Sequence, residues 1–466
     1  MNQSGLPTPP PTSATSSTNP AQSSSNAPGQ SASDVSLGSI VTTITSTSSP
    51  SHLNQYLRSC ASKDVREVLL SSILPGSQDP LTLLNARDHT IGMLYILSAR
   101  LHTVSSDKPL WHHIEGFCRD FVPEHARFAP DRVTLLATGI RQFAEIEGNL
   151  KLAIAPLSDL LAKYPPTLSH LTTIHPIFLT TCVATRHFTA AIPVLSHSIT
   201  TIDLSLSDLT YHDNLIYHYA GGIAFAALKN WPAAEELFEI CVSCPGSAAS
   251  AIQMEALKKL ALVQLIYRGK TSPPSKYMHP ILMRLFKATP YSSFMNAYPL
   301  QRDYLRTIVE NEHQLFANER TLGLITQALD RAPRWAIKKL TTTYLTLHLS
   351  DIGREVGISD ENEVKSLILS MIECSEISAE LSADGTVSFS DPPVKFEKAD
   401  VDRVLAQAQQ QDALLVRLEK EMERNREYLT KAVKSKDDAA WGQTMDEDGA
   451  FGDRTSGNWA EDMSFA

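Results

Sequence analysis

The spacing of apolar residues predicts that most of the chain is helical. From about residue 52 to 340, apolar residues recur at intervals of three and four, and prolines fall between the segments. Residues 1–50 differ, because Ser, Thr, Pro, Ala and Gln dominate them and Asp34 is their only charged residue. Such a segment holds too few large apolar side chains to offset the entropy lost on ordering. We therefore predict a disordered N-terminal tail over 1–50.

A weak repeat lies within the helical region. A large apolar residue is followed three positions on by Ala, and four further on by another large apolar residue, at 150–157, 188–195 and 231–238. The small Ala lets a partner helix approach closely, and each helix pair buries its outer face on the next pair. We predict N-terminal helical repeats over 51–205 that resemble tetratricopeptide repeats in a right-handed superhelix. The alternative is an ordinary helical bundle with chance similarity.

A winged helix is predicted at 334–392, inside a domain that spans 206–395. A helix that contains Trp335 precedes a short strand at 344–348 and a helix at 351–356, which Ser350 caps and Gly357 ends. The next helix opens at Asp360 in a sequence that resembles a capping box. Its apolar positions fall on one stripe: Val364, Leu367, Ile368, Met371 and Ile372. That stripe predicts a buried helix face.

A β-hairpin completes the predicted winged helix. Two runs of alternating apolar and polar residues flank the tight turn Asp384-Gly385. The apolar members of the runs are Ile377, Ala379 and Leu381 before the turn, and Val387 and Phe389 after it.

One long helix is predicted at 396–436, because the segment lacks Gly and Pro and carries a heptad pattern. One row of the heptad seam is Val401, Ala408, Leu415, Met422 and Leu429; the other is Val404, Gln411, Leu418, Asn425 and Ala432. Gln411 and Asn425 could set the register of a bundle. The seam requires a partner, either the rest of this chain or, as we favour, helices of other proteins. Residues 437–466 are acidic with interspersed aromatic residues, and we predict that they are disordered.

Charge argues against nucleic acid as a partner. The formal net charge is -10, whereas proteins that bind nucleic acid non-specifically usually carry a basic excess. The second helix of the predicted winged helix offers Lys365 alone against four acidic residues, Glu361, Glu363, Glu373 and Glu376. Contacts to phosphates need several Lys or Arg side chains. We predict a winged helix that binds protein through a strand edge.

No catalytic, cofactor or metal site is predicted. Cys241-x-x-Cys244 is a single pair without a nearby His at ligand spacing, so a packed helix end is the better interpretation. Gly269-Lys270-Thr271 resembles the end of a phosphate-binding loop, but Gln264 stands where that motif requires Gly. The motifs of metalloproteases, serine hydrolases and dinucleotide-binding enzymes are missing from the sequence.

The compartment follows from cysteine usage and hydropathy. The six cysteines form no disulfide framework, which is typical of a reducing compartment such as the cytosol or nucleus. The sequence carries no apolar run long enough to span a membrane and no secretory signal.

The order of these parts resembles that of the PCI proteins, which combine helical repeats, a winged helix and a bundle-forming helix. Several segments are similar to the family of third subunits of the COP9 signalosome. The segments that carry this resemblance lie at 171–197, 219–238, 251–259, 344–352 and 371–389. The resemblance covers roughly residues 55–430, and the Ser-rich start and the tail depart from the usual pattern of that family.

The resemblance implies a scaffold subunit with no enzymatic activity of its own, in the cytoplasm and nucleus. Other PCI subunits would be its partners, through winged-helix pairing and a C-terminal helical bundle, and the signalosome removes NEDD8 from cullins through a separate metalloprotease subunit. The alternatives are a PCI subunit of the proteasome lid or of a translation initiation factor, and a winged-helix nucleic-acid adaptor. The predicted interface residues are Leu345, Leu347, Ile377, Leu381, Val401, Leu415, Leu418, Met422 and Leu429.

The expected fold class is therefore an all-α helical-repeat superhelix, followed by a small α+β winged helix and a long C-terminal bundle helix.

Overall fold

The computed structural model describes residues 36–103, 109, 111–391 and 397–430. The predicted C-terminal tail, 437–466, lies outside the described residues, as do residues 1–35 of the predicted N-terminal tail. The helices of the first part of the chain are α1 Leu37–Ser46, α2 Pro50–Ser59, α3 Lys63–Ser71, α4 Pro80–Leu83, α5 Thr90–His102, α6 Trp111–Asp120, α7 Pro123–Ala126, α8 Pro130–Ile146, α9 Ile154–Lys163, α10 Ile174–Thr185, α11 Phe188–Leu195, α12 Tyr211–Ala227, α13 Trp231–Ser243, α14 Ala251–Arg268, α15 Pro280–Lys287, α16 Pro290–Ala297, α17 Arg302–Asn311 and α18 His313–Asn318.

The remaining elements are a 3₁₀ helix, a two-stranded ladder and the C-terminal module. The 3₁₀ helix, Leu150–Ala153, leads into α9, and the strands β1 His170–Leu171 and β2 Thr201–Ile202 pair in parallel. The C-terminal elements are α19 Leu322–Thr341, β3 Thr346–His348, α20 Leu349–Val356, α21 Glu361–Glu373, β4 Ser378–Leu381, β5 Thr386–Ser390 and α22 Lys398–Arg424.

Helix α1 corrects the prediction that residues 1–50 form a disordered tail. Within this Ser/Thr-rich stretch, four apolar residues at i, i+3, i+4 and i+7 make a narrow stripe that is buried: Leu37, Ile40, Val41 and Ile44. Gly92 of α5 has no side chain, which lets Ile44 contact its backbone closely. The Ser36 hydroxyl caps the helix by accepting a hydrogen bond from the Ser39 N–H. A prediction from composition alone therefore misses this short amphipathic helix.

The predicted repeat packing is confirmed at the three alanines. Ala153, Ala191 and Ala234 are all 0% exposed, and they lie at or near the start of α9, α11 and α13. A Cβ atom on Gly222 of α12 would lie 2.7 Å from the Phe238 ring of α13, so glycine is needed for this close helix contact. Small residues therefore set the spacing of the paired helices.

Helix α19 links the repeats to the winged helix. The apolar core that begins at Leu215 continues through α14 to Ala332 of α19. Ala336 and Ile337, one turn further along α19, are also buried, and α19 packs against α20. One continuous helix thus contributes to both parts, which holds the winged helix to the repeats.

The winged helix follows the predicted order, with one correction at the start of α20. His348, not Ser350, is the N-cap, because the His348 Nδ1 accepts a hydrogen bond from the Ser350 N–H at 3.3 Å. Gly357 ends α20 in the left-handed conformation, at φ 72°. In α21, Val364, Ile368 and Met371 are buried, and Leu367 and Ile372 are half-buried. The predicted stripe therefore faces the core, with Leu367 at its edge.

The C-terminal helix is shorter than predicted. It falls in a second compact unit of the chain and ends at Arg424, since Asn425 adopts an extended conformation at φ −78°, ψ 107°. The Asn425 Oδ1 accepts hydrogen bonds from the N–H groups of Glu427 (2.9 Å) and Tyr428 (3.2 Å), and residues 426–430 are again helical. Asn425 thus caps a new helical segment and does not continue the seam as predicted. Ala432 lies outside the described residues.

An ion pair between Arg132, which is buried, and Glu67, which is partly buried, links α8 to α3. Both Nη atoms of the Arg132 guanidinium group donate hydrogen bonds to the Glu67 carboxylate, and the Nη1–Oε2 distance is 2.8 Å. The guanidinium also lies 4.3 Å from the centroid of the Tyr95 ring. Burial disfavours the charged form of Glu67, but the hydrogen bonds and charges of Arg132 and Arg66 outweigh that effect and lower its pKa. The pair joins residues 65 positions apart.

Because His175 is buried, we expect the free energy of unfolding to depend on pH. Burial lowers the pKa of His175 from 6.5 to about 4, although a hydrogen bond with Thr172 opposes the shift. The unfolded chain therefore binds a proton near pH 6.5 that the folded chain takes up only near pH 4, and stability falls as pH drops through this window. We expect a loss on the order of 3 kcal/mol from this residue.

Chemical denaturation between pH 8 and pH 4 tests this expectation. The His175→Asn variant keeps a side-chain acceptor for the Thr172 N–H but cannot titrate in this window. It should show a shallower pH dependence than the wild type. The same slope in both proteins would exclude His175 as the source.

Candidate protein–protein interface

Strand β3 lies at one edge of the three-stranded sheet, whose order is β3-β5-β4. Leu345, just before β3, is 80% exposed, and the neighbouring Tyr344 is 45% exposed. Leu347 within the strand is half-buried. Edge strands are usually protected by charged residues or proline, and 344–347 contains neither. This edge is therefore suited to pairing with another strand.

The turn between β4 and β5 fixes the position of β3. The strands β3 and β5 are antiparallel, and Leu347 is the register partner of Val387. The His348 Nε2 lies 3.1 Å from the Asp384 carbonyl oxygen, so the residue that caps α20 also holds the turn. Thr386 donates hydrogen bonds from its N–H and its hydroxyl to the Asp384 carboxylate, and these bonds lower the pKa of Asp384.

The opposite edge, β4, is less suited to pairing. Ile377, a predicted interface residue, is only 9% exposed, so little of its side chain is accessible in the described structure, and its role at an interface stays a prediction. Leu381 is half-buried, and the exposed Glu380 between them places a charge on the edge.

The apolar seam of α22 is exposed. Val401 (52%), Leu415 (60%) and Met422 (42%) are exposed, whereas Leu418 is half-buried; no residue of α22 is buried. Leu429, beyond the break, is 45% exposed. The opposite face of α22 carries polar residues, among them Gln409, Gln410 and Arg417. The helix is therefore amphipathic, with its apolar face accessible.

Three exposed apolar residues lie near the predicted interface residues but are not among them. Tyr344 lies beside Leu345, and Leu405 (54%) and Val416 (42%) widen the apolar surface of α22 beyond the heptad seam. Tyr344 could have been found, because it is the first residue of the predicted strand. Leu405 and Val416 fall outside the two heptad rows, and only their exposure reveals them.

Polar contacts anchor α19 at both of its neighbours. The guanidinium groups of Arg331 and Arg334 bind the Glu376 carboxylate at 3.0 and 3.2 Å, just after α21. On the other side, the Trp335 Nε1–H donates to the Ile266 carbonyl oxygen near the end of α14, at 3.2 Å. Helix α19, which precedes β3, is thus joined to the winged helix at Glu376 and to the repeats at Ile266.

The rejected chemical motifs have structural roles. Cys241 is buried near the end of α13, and the Cys244 sulfur accepts a hydrogen bond from the Asn214 Nδ2 at 3.3 Å, as expected of a packed helix end. Gly269 ends α14 in the left-handed conformation at φ 73°. The described part of the chain has no cluster of three metal-ligating side chains. In the same ranges no helix has the length and apolar character needed to cross a membrane.

Two family models match the chain and together cover both parts of this architecture. The model described as "COP9 signalosome complex subunit 3, N-terminal helical repeats" matches residues 54–282, and the model of the PCI domain matches residues 301–391. The matched PCI segment is shorter than the predicted 206–395, and the repeat match extends beyond residue 205. Residues 301–391 of the chain are thus similar to the PCI family.

Within that family, the chain resembles subunit 3 of the COP9 signalosome. It is 29% identical to "COP9 signalosome complex subunit 3" of Drosophila melanogaster, over 77% of this chain and 86% of the relative. It is 27% identical to the protein of the same name in Dictyostelium discoideum, over 85% of this chain and 96% of the relative.

Proposed function

We propose that the chain is a non-catalytic scaffold subunit of the COP9 signalosome, located in the cytoplasm and nucleus. It supports the removal of NEDD8 from cullins of cullin-RING ubiquitin ligases, and a separate metalloprotease subunit carries out the reaction. Its partners are other PCI subunits, and it needs no cofactor. The observation that carries the proposal is the combination of the repeat and PCI matches with an amphipathic helix whose apolar face is exposed.

Two surfaces support the role in assembly. The face of α22 that holds Val401, Leu415 and Met422 suits a bundle with helices of other subunits, because exposed Leu and Met at heptad spacing pack as knobs into holes. The β3 edge suits pairing with a strand of a neighbouring winged helix, in which main-chain hydrogen bonds give affinity and Leu345 adds apolar contact.

The Leu345→Arg variant tests the strand edge. Leu345 is 80% exposed, so we expect the free energy of unfolding to change by less than about 0.5 kcal/mol. A partner strand would have to bury the new charge, so incorporation into the complex should fall at least about tenfold, equivalent to 1.4 kcal/mol. Pull-down of the tagged chain with quantification of its companions measures this effect.

Ile146→Arg is the matched control, because Ile146 is 74% exposed at the end of α8 and lies outside the winged helix. It should assemble like the wild type. Normal incorporation of Leu345→Arg would remove the β3 edge from the proposed interface.

A further inference from the structure

A groove of 430 Å³ lies in the repeat region, away from the strand edge. Its floor is mostly apolar and comes from the helices α10, α12, α13 and α19. The apolar lining residues are Val183, Tyr219, Ile223, Phe238 and Leu324. Grooves of about 300–1,000 Å³ with apolar walls and a few polar groups are the usual form of binding sites.

Two of the charged residues that line this groove, Lys259 and Glu319, are already paired. Lys259 lies under it, 5.3 Å from the centroid of the Tyr219 ring, and its Nζ pairs with Glu255 at 3.1 Å. Glu319, which also lines the groove, is engaged by Lys258 at 2.7 Å. These four charges balance.

Lys229 and Arg320 are the remaining charged residues of the lining, and they leave the groove with an excess of positive charge. Both are exposed, and neither side chain has a hydrogen bond or ion pair within the described residues. An anionic group could therefore bind at the rim without displacing an existing partner.

Both rim residues end a helix in the left-handed conformation. Lys229 has φ 59° and Arg320 has φ 56°, in the left-handed region that normally favours glycine, and each directly follows the last turn of a helix. Basic side chains also interact favourably with helix C-termini. The Asn230 N–H donates to the Phe225 carbonyl oxygen and the Thr321 N–H to the Phe316 carbonyl oxygen, both at 2.9 Å, and these bonds close the two helix ends beside the groove.

We infer that this groove binds an acidic segment of a partner protein, with one large apolar side chain on the floor and flanking carboxylates at Lys229 and Arg320. The apolar floor distinguishes this ligand from a nucleic acid, since binding to phosphates requires a denser set of basic residues. An aromatic side chain fits the floor best, since Tyr219 and Phe238 offer rings for contact. The groove shares no residue with the interfaces of the proposed function.

Gly323 allows the groove to be filled without disturbing the fold. It lines the groove near the start of α19, and a Cβ atom at this position would meet no atom within 4 Å. Gly323→Leu therefore places a side chain where the ligand would lie. Gly116→Leu is the matched control, because Gly116 is also a helical glycine with nothing within 4 Å of a Cβ atom, and it lies outside the groove.

The test uses fluorescence anisotropy with the full-length chain and three labelled synthetic peptides. The first has a central Trp flanked by Asp and Glu, the second replaces the Trp by Ala, and the third replaces the acidic residues by Lys. We expect the first peptide to bind at least tenfold tighter than either of the others. We expect at least a tenfold loss with Gly323→Leu and with the double variant Lys229→Gly/Arg320→Gly, and no change with Gly116→Leu.

The double glycine variant separates ligand binding from helix capping. Glycine adopts positive φ without strain, so the variant should melt at the wild-type temperature or above it while it loses the peptide. Wild-type peptide affinity in this variant and in Gly323→Leu would overturn the inference. So would equal binding of the Trp and Ala peptides together with displacement by heparin, because that result indicates a general polyanion surface.

Discussion

Replacing Leu415, Leu418 and Met422 of α22 by Glu is expected to abolish entry of the chain into its complex. In the described chain none of the three is buried, so the isolated variant should melt like the wild type. In a bundle each of them would lose about 1.5–3 kcal/mol of apolar burial and would place a charge in the interface. The combined cost exceeds about 5 kcal/mol, which corresponds to more than a thousandfold in affinity.

A triple variant on the opposite face is the control. Ala406, Gln410 and Ala413 are exposed and lie about half a turn from the seam, and their replacement by Glu adds the same number of acidic residues to the same helix. Co-purification of both variants with companion subunits gives the comparison. If the seam variant assembles as well as this control, the apolar face of α22 is not the binding surface.

The Ile368→Asp substitution is expected to unfold the winged helix. Ile368 is 0% exposed in α21, between the buried residues Val364 and Met371. The substitution removes a buried aliphatic side chain and leaves a carboxylate without a partner, and together these effects cost about 4 kcal/mol or more. Thermal melting and hydrogen exchange should both show loss of protection across residues 346–390.

Leu369→Asp is the control at the neighbouring position. Leu369 is 40% exposed, so the same change in charge on the same helix should alter the free energy of unfolding by no more than about 0.5–1 kcal/mol. Similar stability of the Ile368→Asp and Leu369→Asp variants would mean that the orientation of α21 is wrong.

Local patterns explain why much of the winged helix could be predicted from sequence. A stripe at helical spacing, alternating residues around Asp384-Gly385 and a glycine after α20 each depend on a few neighbouring residues, and all three agree with the structure. The three repeat alanines were found for the same reason, since their spacing reflects the contact that they make.

The errors arise where composition or local preference is overruled by packing. Helix α1 was missed because Ser and Thr outnumber its four apolar residues, although their spacing was correct for one buried face. Residue type predicts Ser350 as the cap, but His348 occupies that position and also contacts the Asp384 carbonyl oxygen in the turn. The heptad pattern predicts Asn425 within a continuous seam, whereas its side chain caps the following turn.

Long-range polar contacts could not be predicted at all. The Arg132–Glu67 pair and the Lys258–Glu319 pair join residues 65 and 61 positions apart. Each depends on how helix pairs stack, and a single sequence does not encode that as a local pattern. The groove rimmed by Lys229 and Arg320 is of the same kind, since its residues come from different repeats.

The central claim is that this chain is a structural part of the COP9 signalosome, and affinity purification with mass spectrometry tests it most directly. The chain is tagged in its native cell, purified gently, and its companions are identified and quantified. We expect other PCI subunits, a zinc isopeptidase and cullins in constant proportion to the tagged chain. Recovery of proteasome or ribosomal proteins in their place would assign the chain to the lid or to an initiation factor, and recovery of the chain alone would contradict the scaffold role.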